Sequence, residues 1–576
     1  MSEPDLSRLP DLLQRTADLL RLSGASDFKA IAYEKAAAVV TAEGDNLRFR
    51  DSETRLQELP NVGSSIAKDL HAYLQSGTLP SLESLEADIP AELIAWLDIS
   101  GLGPKRAAKI HQALGITSLT DLETALLDGR VADLPGFGKK SAEKIAAALQ
   151  WRAKHAERCL LEDGAALASA VRKHLDAVDG VLRLETAGSL RRARETIGDI
   201  DLLAVAKDAS ALHRAFRDMP EVEEVLVSGD TKTSVRTAAG RQIDLRTVPE
   251  NAFAAAWLYF TGSKEHNVFL RGRARDRDLT LNEYGLFPLV DGEADRDHPL
   301  DTPEEADIYK KLDLPFTPPE LREGIYESWI DGDDLPDLVR PKDLRGILHA
   351  HSTWSDGHNT IEEMARACID LGYNYLGITD HSRAAAYAGG LSIEDVQAQW
   401  KEIDNLNRQF QDEGLSFRVY KGIESDILAD GALDYPDDIL EGFDFVIASL
   451  HSQLDQEATA MQARVEKALH HPAVTLLGHP TARLLLKREG AKLNMEAVIR
   501  LAAKRGVGIE LNCTAQRMEL DWRWGPLARE TGLLTAISPD AHAIPELDQA
   551  LRLGIPLARK AGFSKDKILN CKRSLN

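Results

Sequence analysis

The sequence predicts a multidomain chain that joins an α+β half to an α/β half, and three observations lead there. Leu and Ala recur at helical spacing through residues 1–150. Short strand-like runs begin near 181, and from 345 onward β-rich runs alternate with helical segments. At 576 residues the chain exceeds what one hydrophobic core supports, so about three to five domains are expected.

The helical part carries a repeat. "LPNVGSSIAKDL" (59–70), "ISGLGPKRAAKI" (99–110) and "LPGFGKKSAEKI" (134–145) each place a tight turn before Ala and Ile at helical spacing. Such a turn presents backbone N–H groups to a phosphate without reading a base. Its glycines are Gly63, Gly101, Gly103, Gly136 and Gly138, with Lys105, Arg106, Lys139 and Lys140 beside them. Asn61 stands where the first copy would take a further glycine, which Asn tolerates because it enters the φ > 0 region. The pattern resembles the helix-hairpin-helix motif of DNA-repair proteins, which implies non-specific DNA contact.

The strand-like part follows, with runs such as "VLRLETAGSL", "DIDLLAVA" and "RQIDLRTV". Asp199 and Asp201 lie two apart on one run, so both carboxylates face the same side. Two such carboxylates suit Mg²⁺, a hard ion that shares oxygen ligands with substrate phosphates. Asp244 on another run completes a candidate two-metal site for nucleotidyl transfer. Gly188 and Ser189 precede an Arg-rich stretch, so backbone amides, Ser189 and Arg192 are candidate phosphate ligands.

"GSLRRARETIGDIDLL", "RQIDLR" and "YFTGSKEHNVFLR" resemble, in order and spacing, the nucleotidyltransferase palm and fingers of family X DNA polymerases. The resemblance covers roughly 5–325 and implies a palm with a mixed sheet. By position it implies that Asp199, Asp201 and Asp244 are the metal carboxylates, holding Mg²⁺ or Mn²⁺. Gly188, Ser189 and Arg192 would bind the triphosphate. Tyr259, Phe260 and Gly262 would line the sugar pocket, Asn267 the base edge, and Arg271 the templating strand. Arg246 resembles the arginine that adjusts the second aspartate. "FKAIAYEKAAAVV" resembles the small domain that grips a 5′-phosphate, with Lys35 contributing charge. One position departs from the eukaryotic relatives: the lysine that forms an imine there is Asp69 here, and a carboxylate cannot form one. Neighbouring Lys68 points about 100° away on the helix.

Next comes "WIDGDDLPDLVRPKD" (329–343), acidic with two prolines and read as a linker. Beyond it, seven β-rich runs suggest a distorted (β/α)7 barrel of parallel strands. His349 and His351 alternate on the first run and so face one way. His381, Glu424, His451, His479, Asp540 and His542 stand at the ends of later runs, where barrel sites converge. With Asp356 these residues resemble the nine-ligand set of the PHP domain, a metal-dependent phosphoesterase barrel, with Glu424 as bridging carboxylate. Mixed imidazole and carboxylate ligands fit Mn²⁺, Zn²⁺ or Fe better than Mg²⁺, and the resemblance implies up to three ions, Mn²⁺ and/or Zn²⁺. His358 is expected at the surface, Asp380 behind the ligands, and Arg383 as a phosphate clamp.

The expected domains are 1–80 (DNA-end binding), 81–150 (helix-hairpin-helix), 151–250 (palm), 251–325 (fingers), 326–343 (acidic linker) and 344–576 (PHP). A palm followed by a PHP barrel resembles bacterial and archaeal family X polymerases nearly end to end. That implies short-gap filling on double-stranded DNA with a primer 3′ end and a 5′-phosphate, using deoxynucleoside triphosphates. It also implies Mn²⁺-dependent 3′–5′ exonuclease action, with abasic-site endonuclease and 3′-phosphatase as candidate activities. A monomer is expected, cytoplasmic and nucleoid-associated. The four cysteines show no CxxC spacing and no apolar run spans a bilayer. The net charge of −23 does not exclude DNA, because a groove needs only local positive charge. Two rival readings are a small-molecule phosphatase with an accessory DNA-binding module and a non-enzymatic DNA-binding scaffold.

Overall fold

The computed structural model describes Leu6 and residues 9–575, apart from Asp51, Ser100 and Ala156. The chain divides into two compact units, 1–156 and 157–576.

The first unit is built from helices around Leu13, Leu70, Trp96, Ile110 and Ile145, all buried. Three of its helices begin at the repeated turns: Ser64–Ser76 after Gly63, Pro104–Leu114 after Gly103, and Lys139–His155 after Gly138. Two residues before each of these glycines the chain enters the left-handed region, at Asn61 (φ 60°), Gly101 (φ 82°) and Gly136 (φ 83°). A side chain added at Gly63, Gly101, Gly103 or Gly138 would meet nothing within 4 Å. The protein itself therefore does not require glycine at Gly63, Gly103 or Gly138; bareness there suits close approach by a phosphate from outside. Lys105, beside the second turn, is paired with Asp27 at 2.9 Å.

The second unit begins with a five-stranded mixed sheet: β1 Val181–Thr186, β2 Asp199–Ala206, β3 Val222–Ser228, β4 Lys232–Thr237 and β5 Gln242–Thr247. The strand order is β1-β2-β5-β4-β3. Strands β2 and β5 are parallel, the other pairs antiparallel, and the register sets Asp201 beside Asp244. Along β2, Ile200 and Leu202 go into the core while Asp199 and Asp201 face the opposite side. Two helices, Phe253–Thr261 and Lys264–Arg275, then wall the cleft above the carboxylates.

The barrel has seven parallel strands in sequence order: β6 Gly346–Ile347, β7 Tyr375–Ile378, β8 Arg418–Asp426, β9 Phe445–Ser449, β10 Val474–Leu477, β11 Gly508–Asn512 and β12 Thr535–Ser538. A parallel bridge between Ala350 and Ala541 joins the first and last strands. Strands β7, β9, β11 and β12 are buried along their whole length, as strands covered on both faces must be.

The 326–343 segment differs from the linker its prolines and acidic residues suggest. Tyr326, Ile330 and Val339 are fully buried. Tyr326 donates its hydroxyl to the Lys560 carbonyl at 2.7 Å, and the Val339 amide donates to the Phe563 carbonyl at 3.1 Å. Apolar residues spaced between the charges give the segment a face to bury, so it packs along the barrel. One apolar core runs from Leu161 and Ile197 through Val339 into the barrel. Polar contacts seal the same junction: Glu195 accepts from Trp522 Nε1 and Arg523 Nη2, each at 2.9 Å, and Arg559 pairs with Glu320 at 2.6 Å. Palm and barrel are docked on one another.

Candidate active sites

The first site is a cavity of about 420 Å³. It brings together Gly188, Ser189, Arg192, Asp199, Asp201, Tyr259, Phe260, Gly262, Asn267 and Arg271, which the sequence places far apart. Asp244 adjoins it through the β2–β5 register. Gly188 has φ 59°, and a Cβ there would stand 2.2 Å from Asp201 Oδ2. Only glycine lets the loop pass over the carboxylate.

Asp199 and Asp201 line the cavity, and Asp244 stands beside Asp201 on the neighbouring strand. Burial, then the Asp199 and Asp244 charges, push Asp201 up to about 7. Asp244 stays below the usual carboxylate range despite its burial, because Lys232 reaches it at 2.7 Å and Gln242 donates to it at 2.9 Å. Asp199 and Asp201, both lining the cavity, fit a divalent cation, which would relieve the like charge that raises Asp201.

Arg192, expected on a triphosphate, is held by Glu323 at 3.0 Å and by the Thr261 carbonyl. The Asn267 amide donates to the Tyr259 carbonyl at 2.8 Å. Arg246 stacks over Phe260 at 4.5 Å and its charge favours ionised Asp201. Arg271 is exposed at the mouth. In the first unit, Lys35 is exposed on the helix Asp27–Glu43. Asp69, only 2% exposed, accepts the Tyr33 hydroxyl at 2.6 Å and the Ser81 amide at 3.1 Å, so it serves the core.

The second site lies at the C-terminal end of the barrel strands. Eight of the nine expected residues fall there in three groups that could each hold an ion: His351, Asp356, His381 and His542; His349, His351 and Asp540; and His381, Glu424 and His451; the ninth, His479, joins them through Glu424. Glu424 touches all three neighbourhoods, with His479 Nε2 at 2.9 Å, His381 Nδ1 at 3.0 Å, His451 Nε2 at 3.2 Å and His349 Nε2 at 3.6 Å. Against the cost of burial, His451, His349 and His381 hold Glu424 well below the carboxylate range. Burial opposes charge on His451 as well, yet Glu424 and Asp426 raise it to about 10. The buried ring nitrogens His349 Nε2 and His351 Nδ1 lack hydrogen-bond partners, and Glu424 Oε2 is turned toward His381 Nδ1 inside the same cluster. Imidazole and carboxylate atoms turned inward, some of them unsatisfied, are a donor set that fits metal ions.

Four neighbours of the sites were not legible in the sequence. Glu510, fully buried on β11, fixes His349 Nδ1 at 2.5 Å and accepts the His479 amide at 2.7 Å. Arg517 brings Nε to 4.0 Å from Asp540, and its buried Nη1 has no partner. Lys232 and Glu323 act at the first site as described. Arg383, expected as a clamp, is 56% exposed and turned onto Asp434, whose carbonyl accepts from it at 3.0 Å. Asp380 lies behind the ligands, accepting from Ser352, Ser355 and Gln399, and His358 is exposed.

Family models match the chain in register with these features. A helix-hairpin-helix domain matches 7–79, a SAM-like helix-hairpin-helix tandem 91–150, the DNA polymerase beta palm 161–250, the DNA polymerase beta thumb 256–323, and the PHP domain 348–514. The chain is 36% identical over 574 residues, 99% of its length, to the DNA polymerase/3′-5′ exonuclease PolX of Bacillus subtilis, of which it covers 98%. It belongs to the PHP-bearing family X DNA polymerases. The polymerase part alone is similar to DNA polymerase lambda of Rattus norvegicus, 27% identical over about half of each chain (51% and 52%), and to that of Arabidopsis thaliana, 24% identical over 50% and 55%. In this family X chain, the polymerase and PHP domains imply dependence on divalent metal and binding of DNA and deoxynucleotides. No helix among the described residues is long and apolar enough to cross a membrane.

Proposed function

We propose that this chain fills short DNA gaps at the first site and trims 3′ ends at the second. What supports the reading is that the palm carboxylates, with Asp201 beside Asp244, and the barrel's imidazole–carboxylate groups stand on one docked unit. In the first, Asp199, Asp201 and Asp244 hold Mg²⁺ or Mn²⁺, which when bound activates a primer hydroxyl and steadies the triphosphate. Ser189 and the Gly188–Ser189 backbone orient the triphosphate, with Arg192 as its guanidinium partner. Tyr259 and Phe260 flank the sugar, Gly262 leaves room for it, Asn267 meets the base edge, and Arg271 meets the template phosphates.

In the barrel, His349, His351, Asp356, His381, Glu424, His451, His479, Asp540 and His542 hold Mn²⁺ and/or Zn²⁺. Glu510 orients His349, and Arg517 with its free Nη1 suits a backbone phosphate better than Arg383 does. The turns at Gly63, Gly101, Gly103, Gly136 and Gly138 grip duplex phosphates, and Lys35 supports the 5′-phosphate side of a gap.

One assay tests both halves. A 5′-labelled primer on one-nucleotide-gapped DNA with a 5′-phosphate is incubated with Mn²⁺, with and without deoxynucleotides. Extension with nucleotides and shortening without them is expected. Faster release of phosphate from a small phosphomonoester, with neither product on DNA, favours the small-molecule phosphatase instead. An abasic-site duplex in the same buffer tests the endonuclease.

A further inference from the structure

Lys560 closes the barrel helix Ile555–Lys560, yet its ammonium lies inside the polymerase part. The side chain is fully buried. Its Nζ donates to the Arg192 carbonyl at 2.8 Å and to Glu323 at 2.6 Å, and it stands 4.5 Å over the Trp522 ring. Glu323 is shared three ways: Oε1 also accepts from Arg192 Nε at 3.0 Å, and Oε2 from Arg194 Nη1 at 3.1 Å. One buried carboxylate thus serves three cations, and one of those, Arg192, lines the nucleotide cavity.

A triphosphate entering that cavity competes with Glu323 for the Arg192 guanidinium. A buried carboxylate stripped of a partner is costly unless other cations hold it. We propose that Lys560 is the barrel's hand-over partner for Glu323: it keeps that carboxylate satisfied while Arg192 turns to the nucleotide, so barrel docking sets nucleotide affinity. Lys560 acts as a positioning residue, through Glu323 and through the Arg192 carbonyl. Its removal leaves Glu323 to grip Arg192 harder and the 191–194 turn without a donor. The inference rests on reading the first cavity as the nucleotide site.

The test uses the full chain and two readouts. Binding of the fluorescent nucleotide mant-dATP is followed by anisotropy with Ca²⁺, and KM and kcat are taken from single-nucleotide gap filling. Lys560→Met is expected to raise the Kd and KM by about tenfold, the loss of one charge-assisted contact, with kcat and 3′-end hydrolysis within about twofold. Glu323→Gln releases Arg192 and is expected to bind at least as tightly as wild type; Lys560→Met in that background is expected to change nothing further. The proposal is overturned by an unchanged Kd in Lys560→Met, or by the same penalty persisting in Glu323→Gln. Should Lys560→Met not fold, weaker binding by Glu323→Gln alone overturns it. Failure of the polymerase reading looks different: the wild-type chain itself would neither bind mant-dATP nor extend a primer.

Discussion

Glu195 of the palm and Trp522 of the barrel, 327 positions apart in sequence, meet through a buried hydrogen bond of 2.9 Å. Glu195 also pairs with Arg523, and these contacts outweigh its burial to bring it down to about 2. Glu305 is likewise near 2, where Arg322 and Arg191 outweigh burial. Folded values below the unfolded 4.5 mean that this stability is whole above about pH 4.5 and is lost as pH falls through about 2. Each group is expected to contribute about 2–3 kcal/mol. Urea unfolding of Glu195→Gln and Glu305→Gln, compared with wild type from about pH 6 downward, should show a flatter acid loss in each variant. Equal slopes in all three proteins would contradict this.

Gly188→Ala puts a methyl where Asp201 Oδ2 stands, at a residue with φ 59°. Nucleotide incorporation is expected to fall by at least about 100-fold, because displacing by an ångström the carboxylate proposed to hold metal would undo its alignment. Circular dichroism should stay native, and 3′-end hydrolysis should be unchanged. Incorporation close to wild type would mean that the loop and carboxylate move freely.

Asp201→Asn removes the middle one of three crowded charges. The metal-free chain is expected to become more stable by about 1–2 kcal/mol at neutral pH while losing incorporation. Thermal unfolding in chelator reads the first effect and primer extension the second. A less stable metal-free variant would show that the Asp201 carboxyl makes contacts in the fold that the amide does not replace.

Glu510→Gln weakens the grip on His349 Nδ1. Partners behind metal ligands typically account for 10–100-fold in affinity, so a loss of about that size is expected at the barrel. Chelator competition measures it, and 3′-end hydrolysis should fall with it while gap filling stays. Unaltered metal affinity would assign Glu510 to packing alone.

Much of both sites was legible because their chemistry imposes local spacing. Asp199 and Asp201 share a strand face, and ligands at the ends of successive strands converge in a barrel. The left-handed turn at Asn61 was legible for the same reason, since few residues adopt that backbone. Glu510 was hidden because it reads as one more residue of an apolar strand. Arg383 stands two residues after His381 and so reads as a clamp, yet Asp434 holds it away, whereas Arg517 is brought near Asp540 only by the fold. The docking contacts were out of reach, because Glu195–Trp522 and Glu323–Lys560 join distant segments with no periodic signal. The 326–343 segment misled for a related reason: its prolines and acids are local, whereas the surface that buries Tyr326 and Val339 comes from the barrel.

The shared core from Leu161 through Val339 to the barrel fixes the separation of the two metal clusters as a property of the fold. On the proposed function, a primer end to be trimmed would reach the barrel by fraying from its template and not by a swing of the barrel toward it, so ease of fraying would act as a criterion for removal.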